Sequence, residues 1–131
     1  MTRTLTASIA ALAGRVYAFA SNPANMPLWA PAFCKSIACV NGQWIIDSNL
    51  GAMRIEFAGA NPFGVLDHTV TLPSGVAFHN PMRVVPNGAG AEVMFTLFRH
   101  EGMSDQQFAD DAALVESDLQ ALKTAVEALP G

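Results

Sequence analysis

The sequence predicts an α+β domain in which a seven-stranded antiparallel sheet curves around one long C-terminal helix, with two short helices after the first strand. Two observations carry this. From Ser104 to Leu129 the apolar residues Phe108, Ala112, Val115, Leu119, Leu122, Val126 and Leu129 recur at alternating spacings of four and three, which places them on one face of an α-helix. From residue 33 to residue 99, short alternating runs are separated by turn residues such as Asn41-Gly42 and Pro73-Ser74-Gly75, as in hairpin-connected strands. A helix of that length runs for roughly 40 Å, so something wide must lie beneath it. A sheet gripping such a helix tends to leave a cavity between the two, and the sequence points to a container for a small molecule.

Residues 3–10 alternate weakly and suit a first strand, after which Leu12, Val16, Phe19 and Ala20 take helical spacing. Asn22-Pro23 restarts the chain as an N-cap followed by proline at the first helical position, and Pro27 and Pro31 keep this second helix short. Strands then follow at 33–40, 43–48, 52–58, 65–72, 76–85 and 91–99. Ser104 with Gln107 three residues on reads as a capping box that starts the long helix.

Hairpin geometry assigns the faces. A two-residue turn at Asn41-Gly42 sets Cys39 against Trp44 and Ile37 against Ile46. With the other turns taken as symmetric, Met53, Ile55 and Phe57 oppose Val70, His68 and Leu66. Leu72, Val76, Phe78, Asn80 and Met82 continue that side, and Val93, Phe95 and Leu97 complete it unless the last turn slips by one residue. The opposite face carries Arg54, Glu56, Asp67, Thr69, Thr71, His79 and Arg83 and reads as solvent-facing.

With 131 residues the chain forms a single domain, 1–131, able to bury a core without disulfides or structural metals. Hydrophobic residues make up 51 % of it and charged residues only 14 %, a surplus that suggests an apolar cavity, a homodimer interface, or both. Seven Lys and Arg, scattered singly, stand against eleven Asp and Glu, which argues against a nucleic-acid partner. Cys34 and Cys39, five apart in a predicted strand, leave opposite faces and read as reduced thiols. The start, Met1-Thr2-Arg3-Thr4, lacks a signal-peptide core, and no apolar run approaches twenty residues, so a soluble cytoplasmic protein with no membrane span is expected.

This order resembles the START-like superfamily, also called SRPBCC, whose helix-grip fold wraps an antiparallel sheet around a long C-terminal helix. Val16-Tyr17-Ala18-Phe19, then Asn22-Pro23 and Trp29-Ala30-Pro31, resemble its first helix pair, and Ala112 to Glu127 its closing helix. Asn61-Pro62-Phe63-Gly64-Val65-Leu66-Asp67-His68 and Pro81-Met82-Arg83-Val84-Val85 resemble a bacterial branch of polyketide cyclase-like members. The superfamily includes lipid carriers, hormone receptors, aromatase/cyclases, ring-hydroxylase subunits and chaperone activators, so the resemblance speaks to fold more than to activity.

His68 is the first candidate for chemistry, because the register sets its imidazole among apolar side chains with Asn80 opposite. It suits a general base or a hydrogen bond to a ligand oxygen; the plainer account is a core histidine satisfied by Asn80 or a backbone carbonyl. Asp67 beside it points to the other face. His68 and His79 fall on opposite sides of the sheet, so no metal site is expected. Arg99 or His100, ending the last strand, could guard a cavity mouth. Trp29, Trp44, Met53, Ile55, Phe57, His68, Phe78, Asn80, Phe95, Val115 and Leu119 form the expected pocket lining, with Met26, Met53 and Met82 lending its walls adaptability.

The function expected is binding of a small hydrophobic or aromatic molecule between sheet and helix, without a cofactor. The alternative is an enzyme of the polyketide cyclase/dehydratase type with His68 and Asn80 as its catalytic residues; a single ionisable group on the predicted lining favours binding. A chaperone-activator module would call for a more polar surface than 14 % charged residues supply.

Overall fold

The computed structural model describes residues 1–130. Strand β1 (Thr2–Ile9) leads into helix α1 (Ala13–Ala20), a 3-10 turn (Pro23–Asn25) and a short helix α2 (Met26–Trp29). Seven strands follow: β2 (Ser36–Val40), β3 (Gln43–Ser48), β4 (Gly51–Phe57), β5 (His68–Thr71), β6 (Ala77–Asn80), β7 (Met82–Asn87) and β8 (Gly90–Phe98). Helix α3 (Asp105–Glu127) closes the chain. The architecture is α+β, with antiparallel strands and a long C-terminal helix, as the sequence leads one to expect.

The sheet departs from expectation. Instead of one seven-stranded sheet there are two, a three-stranded sheet in the order β1-β8-β7 and a five-stranded sheet in the order β2-β3-β4-β5-β6. The break falls at Pro81, inside what reads from the sequence as one strand over 76–85. Proline has no N–H to give the ladder, and its ring crowds the partner strand. The seam is held in other ways: the Pro81 carbonyl accepts from Thr96 N–H at 2.9 Å and the Asp67 carboxylate accepts from Met82 N–H at 2.8 Å. Leu66 N–H also donates to Met82 O at 2.8 Å, and Val84 N–H to Gly64 O at 2.9 Å. Gly64 sits at φ +72, where a Cβ would collide with the Val84 carbonyl, so this crossing requires glycine.

Within the hairpins the expected register largely holds. Ile37 faces Ile46, Cys39 faces Trp44, His68 faces Asn80 and Val84 faces Val93. One pairing is corrected by two residues: Ile55 opposes Val70 and Phe57 opposes His68. The connection between β4 and β5 is not a symmetric turn but a loop built on Asn61, whose Oδ1 accepts from Phe63 and Val65 N–H and whose Nδ2 donates to the Gly59 and Val65 carbonyls. A two-residue shift keeps every side chain on its face, so His68, Val70 and Ile55 still point inward, and all three are buried. Cys34 lies before β2 rather than within it; both cysteines are free, Cys34 buried and Cys39 exposed.

The capping box of α3 is present in both directions, Ser104 Oγ accepting from Gln107 N–H and Gln107 Oε1 from Ser104 N–H. Along the seam Ala112, Leu119, Leu122 and Val126 are buried. The helix rests on β1 and α2, and its last turns are tied to β1: Lys123 donates to the Ser8 carbonyl and Glu127 accepts from Ala10 N–H. The five-stranded sheet instead faces α3 across an open space. Among the described residues no helix is long and apolar enough to cross a membrane.

Candidate functional site

That space is a cavity of ≈ 340 Å³, within the range of small-molecule sites. The five-stranded sheet supplies Met53 from β4, His68 and Val70 from β5, and Phe78 and Asn80 from β6, and the three-stranded sheet supplies Phe95 and Leu97 from β8. Helix α2 and the segment after it supply Met26, Trp29 and Phe33, and α3 supplies Asp111, Leu114, Val115, Asp118 and Leu119. Leu50 and Leu114 are lining residues that remain largely exposed, and they mark the mouth.

Of the side chains expected to line a pocket, Trp29, Met53, His68, Phe78, Asn80, Phe95, Val115 and Leu119 do so, while Trp44, Ile55 and Phe57 do not. Ile55 points inward but is covered as core, and Trp44, its cross-strand partner, is half-buried against that core beside the edge strand β2. Phe57 ends β4, where its ring packs on the imidazole of His68 at 5.1 Å between centroids instead of reaching the space beyond. Met82 likewise belongs to the solid core, 1 % exposed.

His68 is 5 % exposed and held between Phe57 and Phe95, the latter at 5.9 Å. Its Nδ1 lies 2.9 Å from the Leu66 carbonyl, which assigns the proton to Nδ1 and leaves Nε2 as an acceptor. Asn80, expected to share this role, faces His68 across the strands without bonding to it; the carbonyl takes that place. Burial holds the imidazole below its ordinary pKa, more strongly than the Leu66 bond and Asp67 raise it. The ring is therefore neutral.

Two carboxylates share the cavity, contrary to the expectation of a single ionisable group. Asp118 is half-buried and burial pushes it up to about 6, opposed by a hydrogen bond from Ala32 N–H at 3.4 Å. Asp111 lies two helical turns before it on the same side of α3. His100 also lines the space, its ring edge-on to Phe78 at 4.9 Å, whereas Arg99 turns away to pair with Asp105. The signal for the carboxylates stands in the sequence as two aspartates seven residues apart, flanking the apolar seam. Neither is among the lining residues expected from the sequence.

Two further features bear on chemistry. The indole N–H of Trp29 is buried with no acceptor among the described residues. Cys34 is pushed up to about 11, by burial first and then by Asp118 and Asp47, so it stays a thiol and is no nucleophile. Among the described residues no three His, Cys, Asp or Glu side chains converge as a metal would need.

No family model matches the sequence, and no curated protein matches it. Solved structures do. A START superfamily protein from Mycobacterium smegmatis superposes with a TM-score of 0.70 over 98 % of this chain and 99 % of its own, at 17 % identity. The chain has the START-like fold. The di-domain ARO/CYC BexL, from the BE-7585A biosynthetic pathway, superposes at 0.72 over 97 % of this chain with 20 % identity; this chain spans 46 % of that one. An uncharacterised protein of Bacillus thuringiensis reaches 0.75 at 15 % identity, covering 96 % of this chain and 98 % of its own. At such identities the likeness is one of START-like fold alone.

Proposed function

We propose that the protein binds a small hydrophobic or aromatic molecule in the cavity between the five-stranded sheet and α3. One observation carries this reading: an apolar space of ≈ 340 Å³ with His68 set in its wall, a side chain 5 % exposed whose Nδ1 is bound to the Leu66 carbonyl and whose Nε2 has no partner in the protein. A solid core satisfies such groups internally, whereas a binding site leaves them for a ligand. Titration with N-phenyl-1-naphthylamine, an apolar reporter, should give saturable enhanced emission at one site per chain. Val115→Phe, which fills the space from the middle of α3, should weaken it at least about tenfold without unfolding the protein. An absence of binding by the wild type, or undiminished binding by a folded Val115→Phe variant, contradicts the reading. Native mass spectrometry of protein purified from its own host would then identify a copurifying ligand.

The second reading, a polyketide cyclase/dehydratase-type enzyme, gains from the same geometry. A neutral His68 and a carboxyl near 6 on one cavity give a base and an acid that both function near neutral pH. His68→Gln should then abolish turnover of a polyketide-like substrate while sparing its binding; loss of binding alone points back to a carrier.

A further inference from the structure

The charges around the cavity are one-sided. Among the described residues none of the seven Lys and Arg side chains lines it. Arg99 is held by Asp105 and the Met103 carbonyl, Lys123 by Glu127 and the Ser8 carbonyl, and Arg15 bonds to the Pro130 carbonyl. The remaining four, Arg3, Lys35, Arg54 and Arg83, are exposed. On the lining itself the ionisable and amide side chains are Asp111, Asp118, Asn80, His68 with only an acceptor to offer, and His100, set edge-on to Phe78 of β6.

Apolar walls make a low-dielectric space, in which a carboxylate without a counter-ion is poorly solvated and an incoming anion is repelled. Asp118 has one long hydrogen bond, from Ala32 N–H, and Asp111 makes no ion pair among the described residues. The site therefore lacks positive charge and donors on the α3 side, which a ligand can bring. Charge-assisted bonds to a carboxylate are the strong ones in such surroundings. That a ligand is expected at all rests on a separate observation, the unpartnered Nε2 acceptor of His68, a side chain 5 % exposed on the same walls.

Resting on the proposed binding function, we infer that this cavity selects a hydrophobic molecule ending in a protonated amine, held by Asp118 with Asp111 beside it, and refuses the corresponding carboxylic acid. The apolar body lies between Phe78, Phe95 and Leu119, and the ammonium group takes the α3 side.

The test is displacement of N-phenyl-1-naphthylamine at about pH 7.5, where alkylamines are charged and carboxylic acids ionised, by three near-isosteric probes: 2-(1-naphthyl)ethylamine, 2-(1-naphthyl)ethanol and 1-naphthylacetic acid. The amine should bind at least about tenfold more tightly than the acid, with the alcohol between them. In Asp118→Asn the amine's advantage over the alcohol should disappear. Amine and alcohol binding equally, or the acid binding as well as the amine, overturns the inference and leaves cavity binding standing. An amine preference that survives Asp118→Asn combined with Asp111→Asn overturns the role given to these carboxylates. Failure of the reporter itself to bind removes both this inference and the function on which it rests.

Discussion

The two halves of α3 present one apolar seam to two different neighbours. Toward its C-terminus Leu122 and Val126 are fully enclosed, 0 % and 1 % exposed, where the helix lies on β1 and α2 and joins a core with Val16, Val84 and Val93. Toward its N-terminus Val115, Leu114, Asp111 and Asp118 face the cavity. Polar groups sort with this division: the enclosed residues of the solid half are apolar, with Lys123 and Glu127 tied to β1 outside them, while the hollow half admits His68, Asn80, His100 and two aspartates. The difference teaches that the apolar surplus serves two ends. At one end it is spent on packing density, and at the other it lines a space whose few polar groups are positioned rather than excluded.

Leu122 and Leu119 give the sharpest way to break that comparison, because both are leucines on α3, three residues apart and at most 1 % exposed, yet only Leu119 borders the cavity. Leu122→Ala opens a new void and should cost about 4 kcal/mol, whereas Leu119→Ala widens a space already there and should cost about 2 kcal/mol. Urea unfolding of the two variants measures the gap. Equal losses would mean that the cavity end is packed as tightly as the other.

The solid half was the more legible in the sequence. The seam from Phe108 to Leu129 and the Ser104–Gln107 box depend on local spacing, and the hairpin registers follow from turns such as Asn41-Gly42, where Asn41 takes a positive φ of 52. Pro81 stands inside the strand expected over 76–85, and that it divides two sheets depends on pairing partners distant in sequence. The β4–β5 register slipped by two because Asn61 organises its loop through four side-chain bonds that no pattern announces. For the cavity, inward-facing side chains could be named, but not which of them would be covered by a neighbour, as Ile55 is, or turned onto a ring, as Phe57 is. Asp111 and Asp118 were not among the expected lining residues, because burial of a carboxylate is a tertiary fact.

His68 sharpens the comparison at the polar wall. Replacing it by Phe leaves the ring volume but strips the Leu66 carbonyl of its donor, a loss of about 1–3 kcal/mol at neutral pH. The pH dependence has a definite sign. A histidine whose folded pKa is depressed stabilises the fold above the unfolded value of 6.5 and withdraws that stability as pH falls below it. Wild-type stability should therefore decline below about pH 6.5, and His68→Phe should remove this part of the decline. Parallel acid limbs for the two proteins, measured by denaturant unfolding from neutral to mildly acidic pH, would show that the imidazole is solvated.

Asp118 works in the opposite sense and with a smaller effect. Its carboxyl rises from 3.8 to about 6 because burial penalises the charge more than the Ala32 N–H compensates. A raised folded value means that the unfolded chain releases its proton first as pH rises, so the fold is relatively strongest below pH 3.8 and loses that advantage by about pH 6. Unscreened, the shift would correspond to roughly 3 kcal/mol against the folded state at neutral pH; partial solvent access reduces this to about 1 kcal/mol. Asp118→Asn should consequently stabilise the protein by about 1 kcal/mol at neutral pH, with the gain fading as pH falls through that window. It should also weaken binding of an amine probe, the pairing of higher stability with poorer recognition that marks a group retained for a ligand. A variant that is less stable than wild type at neutral pH would instead make the Asp118–Ala32 contact a structural tie between α3 and the segment after α2.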